Sequence, residues 1–181
     1  MDKYEAARRA AAGSRRFHVM AKPSGSTCNL DCAYCFYLSK ETLPGGPGTG
    51  VMSDETLDLF IRQYIQSNTS PEVVFTWQGG EPMLRGPDFY RRVVALQKQY
   101  ARPGQRVEND LQTNGVLMDA EWAAFLARER FLVGLSIDGP REVHDRYRVN
   151  KGGAPTFDKV MAAAKLLRAA GVRFNTLTCV H

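Results

Sequence analysis

Three of the four cysteines fall within eight residues, as Cys28-Asn29-Leu30-Asp31-Cys32-Ala33-Tyr34-Cys35, and the fourth, Cys179, stands far away. A small secreted scaffold spreads its cysteines more evenly, so this clustering indicates a metal centre in a reducing compartment rather than a disulfide framework. Thiolates at i, i+4 and i+7 in a loop can wrap a cubane iron–sulfur cluster, binding three of its four irons and leaving one coordination position open. A structural zinc site would need a fourth ligand, and only Cys179 or a histidine could supply it. Glu81, Ser136, Asp138 and Arg148 add charge and hydrogen-bonding capacity elsewhere in the chain.

Positioning these groups requires a scaffold. The alternation in Phe17 to Pro23 predicts a first strand, with the cysteines in the loop beyond its carboxyl end. Ser53 caps a predicted helix carrying Leu57, Phe60, Ile61, Tyr64 and Ile65, and Pro71 to Gln78 is a second strand ending at Gly79-Gly80-Glu81-Pro82. Pro87 opens a helix through Tyr100, Arg106 to Gln112 is a third strand, Asp119 caps a helix through Arg128, and Phe131 to Ile137 is a fourth strand. A long loop leads to Thr156, which caps a helix stopped by Gly171, and Val172 to Val180 is a fifth strand. Five strands alternating with four helices imply an α/β fold with a parallel sheet and right-handed crossovers, a partial (β/α) barrel.

That rhythm puts every polar signature on one rim, because strand carboxyl ends are where parallel sheets place their sites. Gly79 and Gly80 would let backbone carbonyls approach a ligand without Cβ obstruction, with the charge of Glu81 beside them. Ser136 and Asp138, two apart on the fourth strand, should project together toward the interior at the barrel mouth. The guanidinium of Arg148 suits a carboxylate. His144 and Asp145 are expected in a surface loop, Trp77 and Trp122 in the core, and Cys179 as a small buried residue of the fifth strand.

Composition narrows the function classes. The 181 residues, 44% apolar with a mean hydropathy of −0.33, suit one globular domain. The longest apolar run, Trp122 to Ala127, is too short to span a membrane, and nothing near the N-terminus resembles a signal peptide, so a cytoplasmic protein is expected. Twenty-four Lys and Arg against nineteen Asp and Glu leave +5. Without aromatic residues interleaved, that basicity does not predict nucleic-acid binding. Residues 1–16 are expected to form a flexible basic leader and 17–181 the catalytic domain, ending before the barrel is complete.

The pattern Cys-x3-Cys-x2-Cys with Tyr34 before the last cysteine resembles the hallmark of the radical S-adenosylmethionine enzymes. The stretches Thr76 to Leu84, Gln112 to Gly115 and Leu135 to Asp145 are similar to the anaerobic sulfatase-maturating enzymes and their peptide-modifying relatives. The resemblance implies that Cys28, Cys32 and Cys35 hold a [4Fe-4S] cluster whose open iron chelates S-adenosyl-L-methionine. One electron would then release a 5′-deoxyadenosyl radical, which takes hydrogen from a peptidyl Cys or Ser of a sulfatase to give Cα-formylglycine. It further implies that Tyr34, Gly79, Gly80, Glu81, Ser136, Asp138 and Arg148 contact the cofactor and that Gln78 and Tyr37 face the substrate peptide. A low-potential donor of the flavodoxin or ferredoxin type would supply the electron. The family's catalytic carboxylate and two auxiliary clusters lie in a region expected beyond His181. A maturase forming thioether or carbon–carbon links in a ribosomal peptide and a non-catalytic metal-binding fragment are the alternatives.

Overall fold

The computed structural model describes residues 17–35, 37 and 50–180, so the expected leader at 1–16 lies outside the described residues. Five parallel strands form one sheet in the order of the chain: β1 (Val19–Ala21), β2 (Glu72–Trp77), β3 (Arg106–Thr113), β4 (Leu132–Ser136) and β5 (Arg173–Leu177). Each pairs in parallel with the next, as in Val19 opposite Phe75, Phe75 opposite Asn109, Leu111 opposite Val133 and Leu135 opposite Thr176. Because every crossover steps the same way, all the connecting helices fall on one face and the other is left as the inside of a partial barrel.

The helices are α1 (Asp54–Ser67), α2 (Gly86–Tyr100), α3 (Ala120–Arg128), α4 (Arg141–Tyr147) and α5 (Phe157–Ala169), with a 3-10 turn at Pro82–Arg85 before α2. Their starts follow the predicted chemistry: the Ser53 hydroxyl accepts from the Thr56 N–H at 3.1 Å, and the Asp119 carboxylate accepts from the Trp122 N–H at 2.8 Å. Strand alternation sends Val73, Phe75 and Trp77 outward against Leu57, Ile61, Tyr64, Tyr90 and Val93, all but wholly buried. Thr76, Gln78, Asp110 and Gln112 face the other way, so the barrel interior is polar. Burying the outward set is what holds the rim in place, at roughly 1.5–3 kcal/mol for each large apolar side chain.

Three expectations are corrected. The residues after β4 are not a surface loop, since Arg141–Tyr147 is a short helix and His144 is fully buried in it. The His144 ring accepts the Asp138 N–H at Nδ1 (3.3 Å) and meets the Thr156 hydroxyl at Nε2 (3.1 Å). Thr156 flanks α5 but gives it no side-chain cap; Asp145 does that from α4, accepting the Thr156 and Phe157 N–H groups at 3.0 and 2.8 Å. Finally, β5 stops at Leu177, which leaves Cys179 exposed beyond it. A helix of seven residues with one buried position gives periodicity too little to register.

Candidate active site at the carboxyl rim

At the carboxyl ends of β2, β3 and β4 the chain encloses a cavity of about 330 Å³. Cys28, Cys32 and Cys35 line it together with Tyr34, Tyr37, Gln78, Gly79 and Gly80, and so do Gln112, Thr113, Asn114, Ser136, Arg148 and Cys179. The expected site residues therefore converge, with two exceptions.

The first exception is Glu81. It was expected to contact the cofactor, yet its carboxylate lies fully buried behind the cavity wall. One oxygen accepts the Met83 N–H at 2.9 Å and the Thr113 hydroxyl at 2.8 Å, and the other accepts the Asn114 N–H at 2.8 Å. Burial lifts its pKa to about 7 against these three bonds. Glu81 thus ties the end of β2 to the end of β3.

Asp138 is the second. Its carboxylate is held bidentately by Arg148, Nε to Oδ2 at 2.8 Å and Nη2 to Oδ1 at 3.2 Å, and it also accepts from the Tyr34 hydroxyl and, at 3.0 Å, from the Cys179 N–H. Burial works against its charge, but these bonds outweigh that penalty and keep the carboxyl below its usual range. Asp138 is therefore a brace joining the cysteine loop, the Arg148 side chain and the exit of β5. Arg148 itself lines the cavity with its guanidinium carbon 5.4 Å from the centre of the Tyr34 ring, and Ser136 stays on the cavity wall as expected.

The two glycines, which line the cavity, also meet a packing requirement. A Cβ on Gly80 would sit 2.1 Å from the Thr27 carbonyl oxygen, and one on Gly79, whose φ is 125°, would sit 2.7 Å from that of Gly25. Through this gap the Gly80 N–H donates to Gly25 O at 3.0 Å and the Glu81 N–H to Thr27 O at 2.9 Å. The missing side chains let the segment leading into the cysteines lie directly on the end of β2. Further anchors come from Asp31 N–H to Val149 O at 2.8 Å and Ala33 N–H to Tyr147 O at 2.9 Å.

Gln112, Thr113 and Asn114 stand at the end of the third strand in the sequence, where residue type assigns them no individual roles. In the structure Gln112 accepts from the Gln78 amide, Thr113 binds Glu81, and Asn114 reaches the cysteine loop, donating to Asn29 Oδ1 at 2.8 Å. Their position after a strand was visible in the sequence, but not which loop they would meet.

The thiols suit a cluster better than a single ion. All three line one cavity, and a cubane takes each thiolate on a different iron, whereas a structural zinc site wants four ligands on one ion. Burial raises the Cys28 thiol and pushes Cys32 up to about 11, so without metal they remain protonated and loading would release protons.

Residues 23–181 match the model of the radical SAM superfamily, and the chain belongs to that superfamily, whose cofactors are a [4Fe-4S] cluster and S-adenosylmethionine. Within it, the chain is 48% identical over 168 residues to the serine-type anaerobic sulfatase-maturating enzyme of Bacteroides thetaiotaomicron, covering 93% of this chain and 40% of the relative. It is 41% identical to the cysteine-type enzyme of Clostridium perfringens over 162 residues, covering 90% of this chain and 44% of that one. A solved structure described as native anSMEcpe with bound AdoMet and Cp18Cys peptide superposes with a TM-score of 0.81 at 39% identity, over 89% of this chain and 42% of the other. The chain thus spans about 40% of the length of the curated relatives it matches.

Proposed function

We propose that the chain carries the radical-generating site of an anaerobic sulfatase maturase, converting a peptidyl Cys or Ser of a sulfatase to Cα-formylglycine. The observation that carries this reading is the meeting of three thiols, a braced arginine, Ser136 and the Gly79–Gly80 turn on one cavity. Cys28, Cys32 and Cys35 would hold the [4Fe-4S] cluster. When bound, the cluster and S-adenosylmethionine supply a reductive cleavage that yields a hydrogen-abstracting adenosyl radical.

The chain's own residues do the positioning. Arg148 offers the cavity a cation for the methionyl carboxylate, and because Asp138 already fixes its fork, little rotamer entropy is lost on binding. Ser136 and Tyr34 flank that position as polar and aromatic neighbours. Gln78, locked to Gln112 and facing the barrel interior, and Tyr37, whose ring lies 5.1 Å from the Lys22 ammonium, stand where a substrate peptide would approach. Among the described residues no helix is long and apolar enough to cross a membrane. A cytoplasmic, oxygen-poor setting and a donor of the flavodoxin or ferredoxin type complete the reading, with no nucleic-acid partner.

The test is anaerobic reconstitution followed by incubation with S-adenosylmethionine, a low-potential reductant and a sulfatase-derived peptide. Bound iron and acid-labile sulfide, 5′-deoxyadenosine and an aldehyde on the Cys or Ser are the expected results. Cleavage accompanied by a thioether or carbon–carbon link would overturn the sulfatase assignment, and zinc without sulfide would overturn the radical one.

A further inference from the structure

Asn114 follows β3 directly, and its side-chain amide is held from both ends. Its Oδ1 accepts the Val116 N–H at 3.0 Å, and since a backbone N–H can only donate, the oxygen must face that way and the nitrogen must face the cysteines. The Asn114 N–H is itself fixed by Glu81 Oε2 at 2.8 Å. The two hydrogens on Nδ2 then have two acceptors, Asn29 Oδ1 at 2.8 Å and Cys28 Sγ at 3.7 Å. A second donor, the Leu30 N–H, reaches the same sulfur at 3.4 Å. Asn114 is 7% exposed, so water competes little for these bonds.

We propose that Asn114 is a positioning residue that sets the reduction potential of the cluster by donating a hydrogen bond to the Cys28 sulfur. The inference rests on the reading that Cys28 is a cluster ligand. Reduction adds negative charge that is shared with the ligating sulfurs, and a donor aimed at one of them stabilises the reduced form more than the oxidised form, raising the potential. The effect is directional, because the Val116 N–H prevents the amide from turning its oxygen toward the sulfur. It is also specific to Cys28, the thiol beside the β2–β3 rim that Glu81 ties together.

The experiment is an EPR-monitored potentiometric titration of the anaerobically reconstituted protein, comparing wild type with Asn114→Ser and Asn114→Asp. Ser keeps an oxygen for the Val116 N–H but is too short to reach the sulfur. Asp keeps that bond as well, and turns a charged acceptor toward the sulfur in place of the donor. The midpoint potential is expected to fall in both variants and further in Asn114→Asp, while iron and sulfide content stay at the wild-type level. Should Asn114→Asp fail to load, the neutral Ser variant carries the test. A full cluster at the wild-type potential in the loaded variants would overturn the inference. A wild-type protein that takes up no iron and sulfide would instead overturn the cluster reading beneath it.

Discussion

On the helix-covered side of the sheet, Phe75 and Trp77 stack with centroids 6.0 Å apart, and Tyr90 meets Trp77 edge-on at 5.8 Å. Polar threads there are satisfied as well: Trp77 Nε1 donates to Asn109 Oδ1 at 2.9 Å with Gln97 closing on Asn109, and the Tyr90 hydroxyl donates to Pro82 O at 3.2 Å. At the carboxyl rim the contacts are of another kind: two buried carboxylates, Glu81 and Asp138, each take three or more hydrogen bonds from segments far apart in sequence. The core depends on apolar area, which many residue choices can supply. The rim depends on matched donors and acceptors in low dielectric, where losing one partner leaves another buried and unsatisfied. The fold should therefore tolerate change in the first region and the site should not tolerate it in the second.

The sharpest break of the rim without the core is removal of a thiol. Cys28→Ala, Cys32→Ala or Cys35→Ala is expected to abolish iron and sulfide loading, whereas Cys179→Ala, which also lines the cavity, leaves it intact; iron and sulfide assays after reconstitution check this. Conversely, Trp77→Ala attacks the core and should lower stability by about 3–5 kcal/mol by denaturant unfolding, with cluster loading retained wherever the protein stays folded. Gly80→Ala returns to the rim. Because the obstacle is the Thr27 backbone rather than a flexible side chain, its destabilisation should reach or exceed the roughly 1–3 kcal/mol usual for overpacking, and cluster content should fall with it.

Smaller effects separate the two regions along α4. His144 is buried, and burial depresses its pKa below the ordinary value. The unfolded chain then binds a proton that the folded chain refuses, so stability present above pH about 6.5 is lost on acidification. The urea midpoint should fall between pH 7.5 and 5.5 in the wild type and fall less in His144→Gln. Asp145→Ala removes the α5 cap and should lower stability by about 1 kcal/mol, with the metal content unchanged.

Much of this was legible in advance because its signals are local. The period-2 and period-3.6 apolar patterns depend on nearest neighbours, so all five strands and the four longer helices follow from the sequence, as do the caps at Ser53 and Asp119. The Cys-x3-Cys-x2-Cys spacing and the Gly-Gly-Glu-Pro turn mark the rim for the same reason. Residue type and position alone could not say whether a carboxylate faces the cavity or the protein, and those of Glu81 and Asp138 are buried against protein donors. Nor could they show that Gly80 must be small to admit the Thr27 backbone, or that Asp145 caps a helix eleven residues on.

From its sequence this chain is committed to a run of βα units, an apolar outer sheet face and three thiols beyond the first strand, since backbone propensity and side-chain periodicity act over a few bonds. Folding alone decides which donor meets which acceptor across Glu81, Asn114, Asp138 and Arg148. Those pairings join residues from 10 to 104 positions apart, and they exist only once the sheet has curved and brought its strand ends onto one rim.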